Sequence, residues 1–289
     1  MTVELPSELL APAETGQVSR LAPNLLRVVA PNPSALTGAG TNTYVVGLGP
    51  SYAVIDPGPD DTVHLERIMA ATAANISHVL CTHSHPDHSP GAQPLKSLTG
   101  AMVLGRPAPD DDYQDPSYRP DGSLEDGAVV AVAGATLRVV HTPGHASNHV
   151  CLLLEPEGWL FTGDHLMNGS TVVILPPDGS MRLYLDSLRR LRALPLTALA
   201  PGHGAVMPAP HDEIERVVAH RLKREARVVD GLAQLGGAAS LDALLPVVYA
   251  DTPPRLHSLA RHSLLAHLQK LLEEGRVVQH GERWTWLAA

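Results

Sequence analysis

Thr82-His83-Ser84-His85-Pro86-Asp87-His88 is the stretch that decides how the rest of the chain is read. In extended backbone, residues two apart project to one side, so His83 and His85 can grip one cation together. Asp87 and His88, beyond the bend at Pro86, point elsewhere and can hold a second. Imidazole and carboxylate donors without a thiolate favour Zn2+, with Mn2+ or Fe2+ also compatible. Cys81 precedes the motif by one residue, faces into strand packing and is given no ligand role. Four potential ligands within six positions say far more than a lone histidine pair.

Outward from this motif one theme repeats: an apolar run enters a polar loop bearing His or Asp. His78–Thr82 leads to His83, Leu137–His141 to Thr142-Pro143-Gly144-His145, Trp159–Thr162 to Gly163-Asp164, and Ala198–Ala200 to Pro201-Gly202-His203. Each later residue alone reads as an ordinary loop histidine or a turn aspartate. Together they complete a two-cation arrangement, in which metals sit about 3.5–4 Å apart. A carboxylate has two oxygens with which to bridge such a pair and imidazole does not, so Asp164 is the expected bridge. His83, His85 and His145 would form one site, and Asp87, His88 and His203 the other. Of the remaining histidines, His149 is expected to support His145 and His165 to line the pocket. His64 and those of the C-terminal region read as surface or packing residues.

Sixteen histidines stand against a single Phe, and the formal net charge is −9, all of it carried by the first 206 residues. A basic nucleic-acid grip is therefore missing from the composition. Two cysteines, both in apolar runs, exclude a disulfide framework and fit a cytoplasmic setting. No basic-then-apolar leader opens the chain, and no apolar run reaches the ~20 residues of a membrane span, so no membrane partner is expected.

Apolar runs at Leu25–Val29, Thr43–Val46 and Ala53–Ile55, with helical patterns at Thr62–Ala74, 88–98 and 183–193, predict a layered α/β domain over residues 1–206. After Met207-Pro208-Ala209-Pro210 the pattern becomes helical: Asp212–Leu235, Ser240–Tyr249 and Pro254–Glu274. A hairpin of Val277–Gln279 and Trp284–Leu287 follows. Residues 207–289 thus read as a winged-helix-like module. Lacking clustered ligands, it is expected to shape a substrate groove rather than hold metal.

Asp56, the His83–His88 cluster, His145, Asp164 and His203, in this order, resemble the metallo-β-lactamase superfamily over about residues 40–206. The resemblance implies an αββα sandwich with a binuclear site at the sheet edge, and Asp56 holding the His cluster rather than binding metal. Thr41-Asn42-Thr43-Tyr44-Val45-Val46-Gly47, Gly169-Ser170-Thr171-Val172, Tyr184-Leu185-Asp186-Ser187-Leu188, His220-Arg221, Thr252-Pro253 and His267-Leu268 are similar to the lactamase-beta-like group. That group joins the hydrolase domain to a C-terminal winged helix and includes single-strand endoribonucleases. Val173-Ile174-Leu175-Pro176-Pro177-Asp178-Gly179 departs from the pattern near the expected site mouth.

The chemistry these residues point to is metal-assisted hydrolysis with Asp87 or Asp164 orienting water. Protonation of the leaving group is unassigned, with Tyr184, His165 and a metal-bound water as candidates. The resemblance places single-stranded RNA first among substrates. Thioesters or esters, as in hydroxyacylglutathione hydrolases with the same His83–His88 pattern, come second, and lactones or β-lactams third. A non-enzymatic winged-helix regulator is disfavoured by the intact ligand set. A redox di-iron role is disfavoured because such relatives carry Glu where this chain has His85.

Overall fold

A computed structural model describes residues 13–287, which group into two compact units. The first runs through Thr142 and adds Asn148–Val172 and Ala193–His211. The second comprises Pro143–Ser147, Val173–Arg192 and the chain from Asp212 onward, so two of its segments precede the sequence boundary at Val206.

In the first unit, β1 (Val18–Ala22), β2 (Leu25–Val29), β3 (Asn42–Leu48), β4 (Ser51–Ile55), β5 (Ile76–Leu80) and β6 (Met102–Leu104) form one sheet in sequential order. A second sheet has the order β11 (Ala198–Pro201), β10 (Trp159–Gly163), β9 (Val150–Glu155), β8 (Ala135–His141), β7 (Val129–Val132). Period-two alternation sorts the first sheet's side chains between two cores. Tyr44, Val46, Ile55 and Leu80 meet Leu137, Leu152 and Phe161 of the second sheet, with the Tyr44 and Phe161 rings 5.0 Å apart. Val28, Val45, Val54 and Val79 face the other way, onto α1 (Thr62–Thr72) and α2 (Ala92–Thr99) through Leu65, Ile68 and Leu95.

Asp61 caps α1, its carboxylate accepting from His64 N–H, and α2 ends at Gly100 in the left-handed region. The layered α/β reading is borne out. β1, β6 and β7 were not anticipated: each has five residues or fewer, and β1 and β7 each expose part of their length.

The second unit holds α3 (Met181–Leu191), α4 (Pro210–Gln234), α5 (Leu241–Val248) and α6 (His257–Glu273). It also contains a small sheet in the order β12 (Ala238–Ser240), β14 (Arg283–Trp286), β13 (Val277–His280), the wing the sequence suggested. Val228, Leu232, Leu244, Leu264, Leu268 and Trp284 share its core. Burial raises the Glu225 carboxyl of α4, but His267 and Lys270 of α6 outweigh that and hold it at about 2. No helix among the described residues is long and apolar enough to cross a membrane.

His64, read as a surface or packing residue, is wholly buried in α1 with Nε2 2.9 Å from Thr43 Oγ1. Burial lowers its pKa to about 4 from 6.5. The unfolded chain therefore takes up a proton below pH 6.5 that the folded chain refuses until about pH 4, so this group costs stability as pH falls across that window. The cost reaches at most about 3 kcal/mol. Urea unfolding of His64→Gln should show a smaller loss of stability between pH 7.5 and pH 5 than wild type. An identical pH dependence would show that His64 is already charged in the folded chain.

Candidate metal centre

The parallel pairs β4–β5 and β10–β11 bring four strand C-termini to one edge, and the loops that leave them carry the polar residues. Main-chain bonds tie the two sheets at this edge: Val150 N–H donates to Thr82 O (2.8 Å) and Asn42 N–H to Gly202 O (2.7 Å). The Tyr44 hydroxyl adds a bond to Pro201 O at 2.8 Å.

Asp56 follows β4 with φ +48° and is buried. Its carboxylate accepts from Thr82 N–H (2.7 Å), the Thr82 hydroxyl (2.8 Å) and His88 Nδ1 (3.0 Å). Because the Thr82 proton is spent on Asp56, its oxygen is left to accept from His83 Nδ1 at 3.0 Å. His145 Nδ1 donates to Val173 O at 2.8 Å, and His203 Nδ1 lies 3.4 Å from Gly40 O. With Nδ1 engaged in each ring, Nε2 is the nitrogen left to coordinate.

Three overlapping groups of donor atoms result, each with all its atoms within 4.8 Å of one another: His83, His85 and His145; His83, His88 and Asp164; Asp87, His88 and His203. All seven residues named from the sequence take part. Asp164 Oδ1 stands 3.3 Å from both His88 Nε2 and His203 Nε2, while Asp87 Oδ2 is 3.1 Å from His203 Nε2. Burial would lower His88, yet Asp87, Asp164 and Asp56 override it and push the imidazole well above its usual range. Burial raises Asp87, but His88 and His203 more than offset that and hold its carboxyl below the normal value. Such a cluster of imidazoles and carboxylates could hold cations. The donors are nitrogen and oxygen alone, a set compatible with zinc or another divalent ion. Cys81 packs into the outer core, where burial drives its thiol well up.

Glycines give the cluster its floor. A Cβ on Gly202 would lie 2.7 Å from His88 Cε1 and 2.9 Å from Asp164 Oδ1. One on Gly163 would meet Thr82 Oγ1 at 2.5 Å, at φ +45°.

The remaining histidines of the site lie beneath it. His149 is fully buried, with Nδ1 2.9 Å from Thr142 Oγ1 and its ring 5.1 Å from that of His83. His165 is likewise buried, its ring 5.7 Å from His149.

Sequence reasoning gave no role to Thr82, although its place at a strand end directly before the motif was the available signal. It also missed the brace on Ser84. The Ser84 hydroxyl donates to Gln114 Oε1 (2.6 Å) and accepts from Asn148 (2.7 Å), and Asp115 N–H donates to Ser84 O (2.7 Å).

Comparison with known proteins bears on this geometry. Residues 36–203 match the Metallo-beta-lactamase superfamily, and residues 240–284 the Beta-lactamase associated winged helix domain. A beta-lactamase-like protein 2 homolog from Drosophila melanogaster is 34% identical, covering 90% of this chain and 91% of its own. An atrochrysone carboxyl ACP thioesterase from Paecilomyces divaricatus is 33% identical over 94% of this chain and 87% of its own. Among solved structures, a beta-lactamase domain protein from Burkholderia ambifaria shares the fold, with TM-score 0.79, 21% identity, and 98% and 97% of the two chains covered.

If Asp56 orients the His cluster, Asp56→Asn should weaken metal retention about 10–100-fold, the usual cost of losing a partner behind a ligand. Competition with a chromophoric chelator measures this, and unchanged retention would place the orienting role elsewhere.

Proposed function

The chain belongs to the metallo-β-lactamase superfamily, and from that premise we propose that it is a binuclear zinc hydrolase of thioesters. His83, His85 and His145 would hold one ion, Asp87, His88 and His203 the other, with Asp164 shared. Bound divalent ions supply Lewis acidity and make water a competent nucleophile at neutral pH.

The protein's own groups do the rest. Asp87 is the more open of the two carboxylates, its side chain 31% exposed against 13% for Asp164, so it is the group that can orient water and take its proton. Water adds to the acyl carbon, the C–S bond breaks, and the products are a carboxylic acid and a thiol.

The observation that carries this reading is the burial of Tyr184 and His165, the two side chains among the candidate proton donors, a metal-bound water being the third. Tyr184 is 1% exposed and His165 fully buried. A thiolate, with an ordinary pKa of about 8.5, leaves without such help. A ribose alkoxide is far more basic and gains more from a proton donor. Similarity to an ACP thioesterase over nearly the whole chain supports the same choice. So does charge: a neutral acyl thioester centre avoids the repulsion that the acidic hydrolase domain sets up against polyanionic RNA. The thioester reading therefore displaces single-stranded RNA as the preferred substrate.

Purified protein should hold about two zinc equivalents, and Asp164→Ala should lower occupancy at both positions. It should turn over an acyl thioester in a chelator-sensitive reaction that His83→Ala or Asp87→Ala abolishes, and leave single-stranded RNA intact. Chelator-sensitive RNA cleavage with no thioester turnover would reverse the choice.

A further inference from the structure

We infer that the C-terminal helices clamp the loop Pro143–Ser147 through α3 and thereby set the position of His145, an inference that rests on the metal-centre reading above. The loop's base is closed by Thr142 N–H donating to His149 O at 3.0 Å, and Gly144 N–H bonds Ala146 O within it. The tip is gripped from one direction. Ser180 N–H donates to Gly144 O (2.8 Å), the Ser187 hydroxyl to Pro143 O (2.8 Å), Ser147 N–H to Asp178 Oδ2 (2.8 Å), and His145 Nδ1 to Val173 O (2.8 Å). Every one of these partners lies in residues 173–187, the stretch that begins with the departure from the family pattern and continues into α3.

Contact between loop and helix is backbone to backbone. At Gly144, φ +147°, a Cβ would sit 2.3 Å from Tyr184 Cα and 2.6 Å from Tyr184 N, so nothing flexible lies between them to absorb a shift of α3. The C-terminal helices hold α3 in turn. Arg221 of α4, 4% exposed, places its guanidinium carbon 5.3 Å from the Tyr184 ring centroid. Arg182 of α3 donates to Glu273 of α6 at 2.6 Å. Both members of that second pair are about half exposed and it contributes little. The buried Arg221–Tyr184 contact is the stronger of these two. Val173 O fixes the His145 ring, so displacing α3 and its leading segment turns Nε2 away. The sequence suggested that the C-terminal module acts on the substrate groove alone; the clamp gives it a part in placing His145.

The test uses the full chain, stripped of metal, with amide hydrogen exchange followed across residues 143–149. Arg221→Met and Ser187→Ala are each expected to speed exchange at Ser147 about tenfold, with His83–His88 unchanged, and Arg221→Lys to restore most of the protection. When Zn2+ is added back, Arg221→Met should surrender one equivalent to a chelator about tenfold more readily while retaining the other. Wild-type exchange at Ser147 in Arg221→Met, or acceleration spread evenly over the whole second unit, overturns the clamp. A wild-type chain that takes up no zinc overturns the metal-centre reading instead, and the exchange result still decides the clamp.

Discussion

The Asp56 carboxylate is the constraint on which the site depends. It closes β4 in a left-handed conformation that a non-glycine residue holds only when its surroundings over-determine it. Those surroundings are three donors, two from Thr82 and one from His88. One carboxylate thus fixes where the backbone of the histidine loop departs from β5. It sets the tautomer of His88 directly and that of His83 through the Thr82 hydroxyl. A hydroxyl has one proton, and committing it to Asp56 leaves His83 no choice of role.

The remaining candidate ligands arrive by strand geometry. Parallel pairing of β10 with β11 places Asp164 and His203 at one edge, and Gly202 N–H donating to Gly163 O at 2.8 Å continues the ladder one residue past β11, directly beneath the cluster. Side-chain bulk at either glycine would enter the space that His88, Asp164 and Thr82 occupy. The acidic and imidazole groups are therefore held close by backbone on one side and by the two-sheet core on the other. That proximity is what pushes His88 well above its usual range and holds Asp87 below its own.

Much of this was legible in the sequence because ligand chemistry is compressed into few residues and recurs at strand ends. His83, His85, Asp87 and His88 announce themselves by spacing, and His145, Asp164 and His203 by following apolar runs. Short strands with exposed positions, such as β7, carry too little periodicity to separate from loop. His64 shows a second limit, since one residue in an amphipathic helix carries no mark of the hydroxyl it will meet across the fold. Substrate choice was the least legible. The candidate ligand set suits many hydrolyses, and the burial of Tyr184 and His165 is a property of packing that spacing does not encode.

The glycine floor also bears on how such a protein can change over evolutionary time. Where the bottom of a reaction chamber is main chain, most substitutions nearby leave its depth and its hydrogen-bonding face untouched. Variation is channelled into exposed residues that do not pack against that floor. A lineage built on this plan can alter its surface while the main-chain floor stays fixed. Novelty is cheap at the surface and nearly forbidden at Gly163 and Gly202.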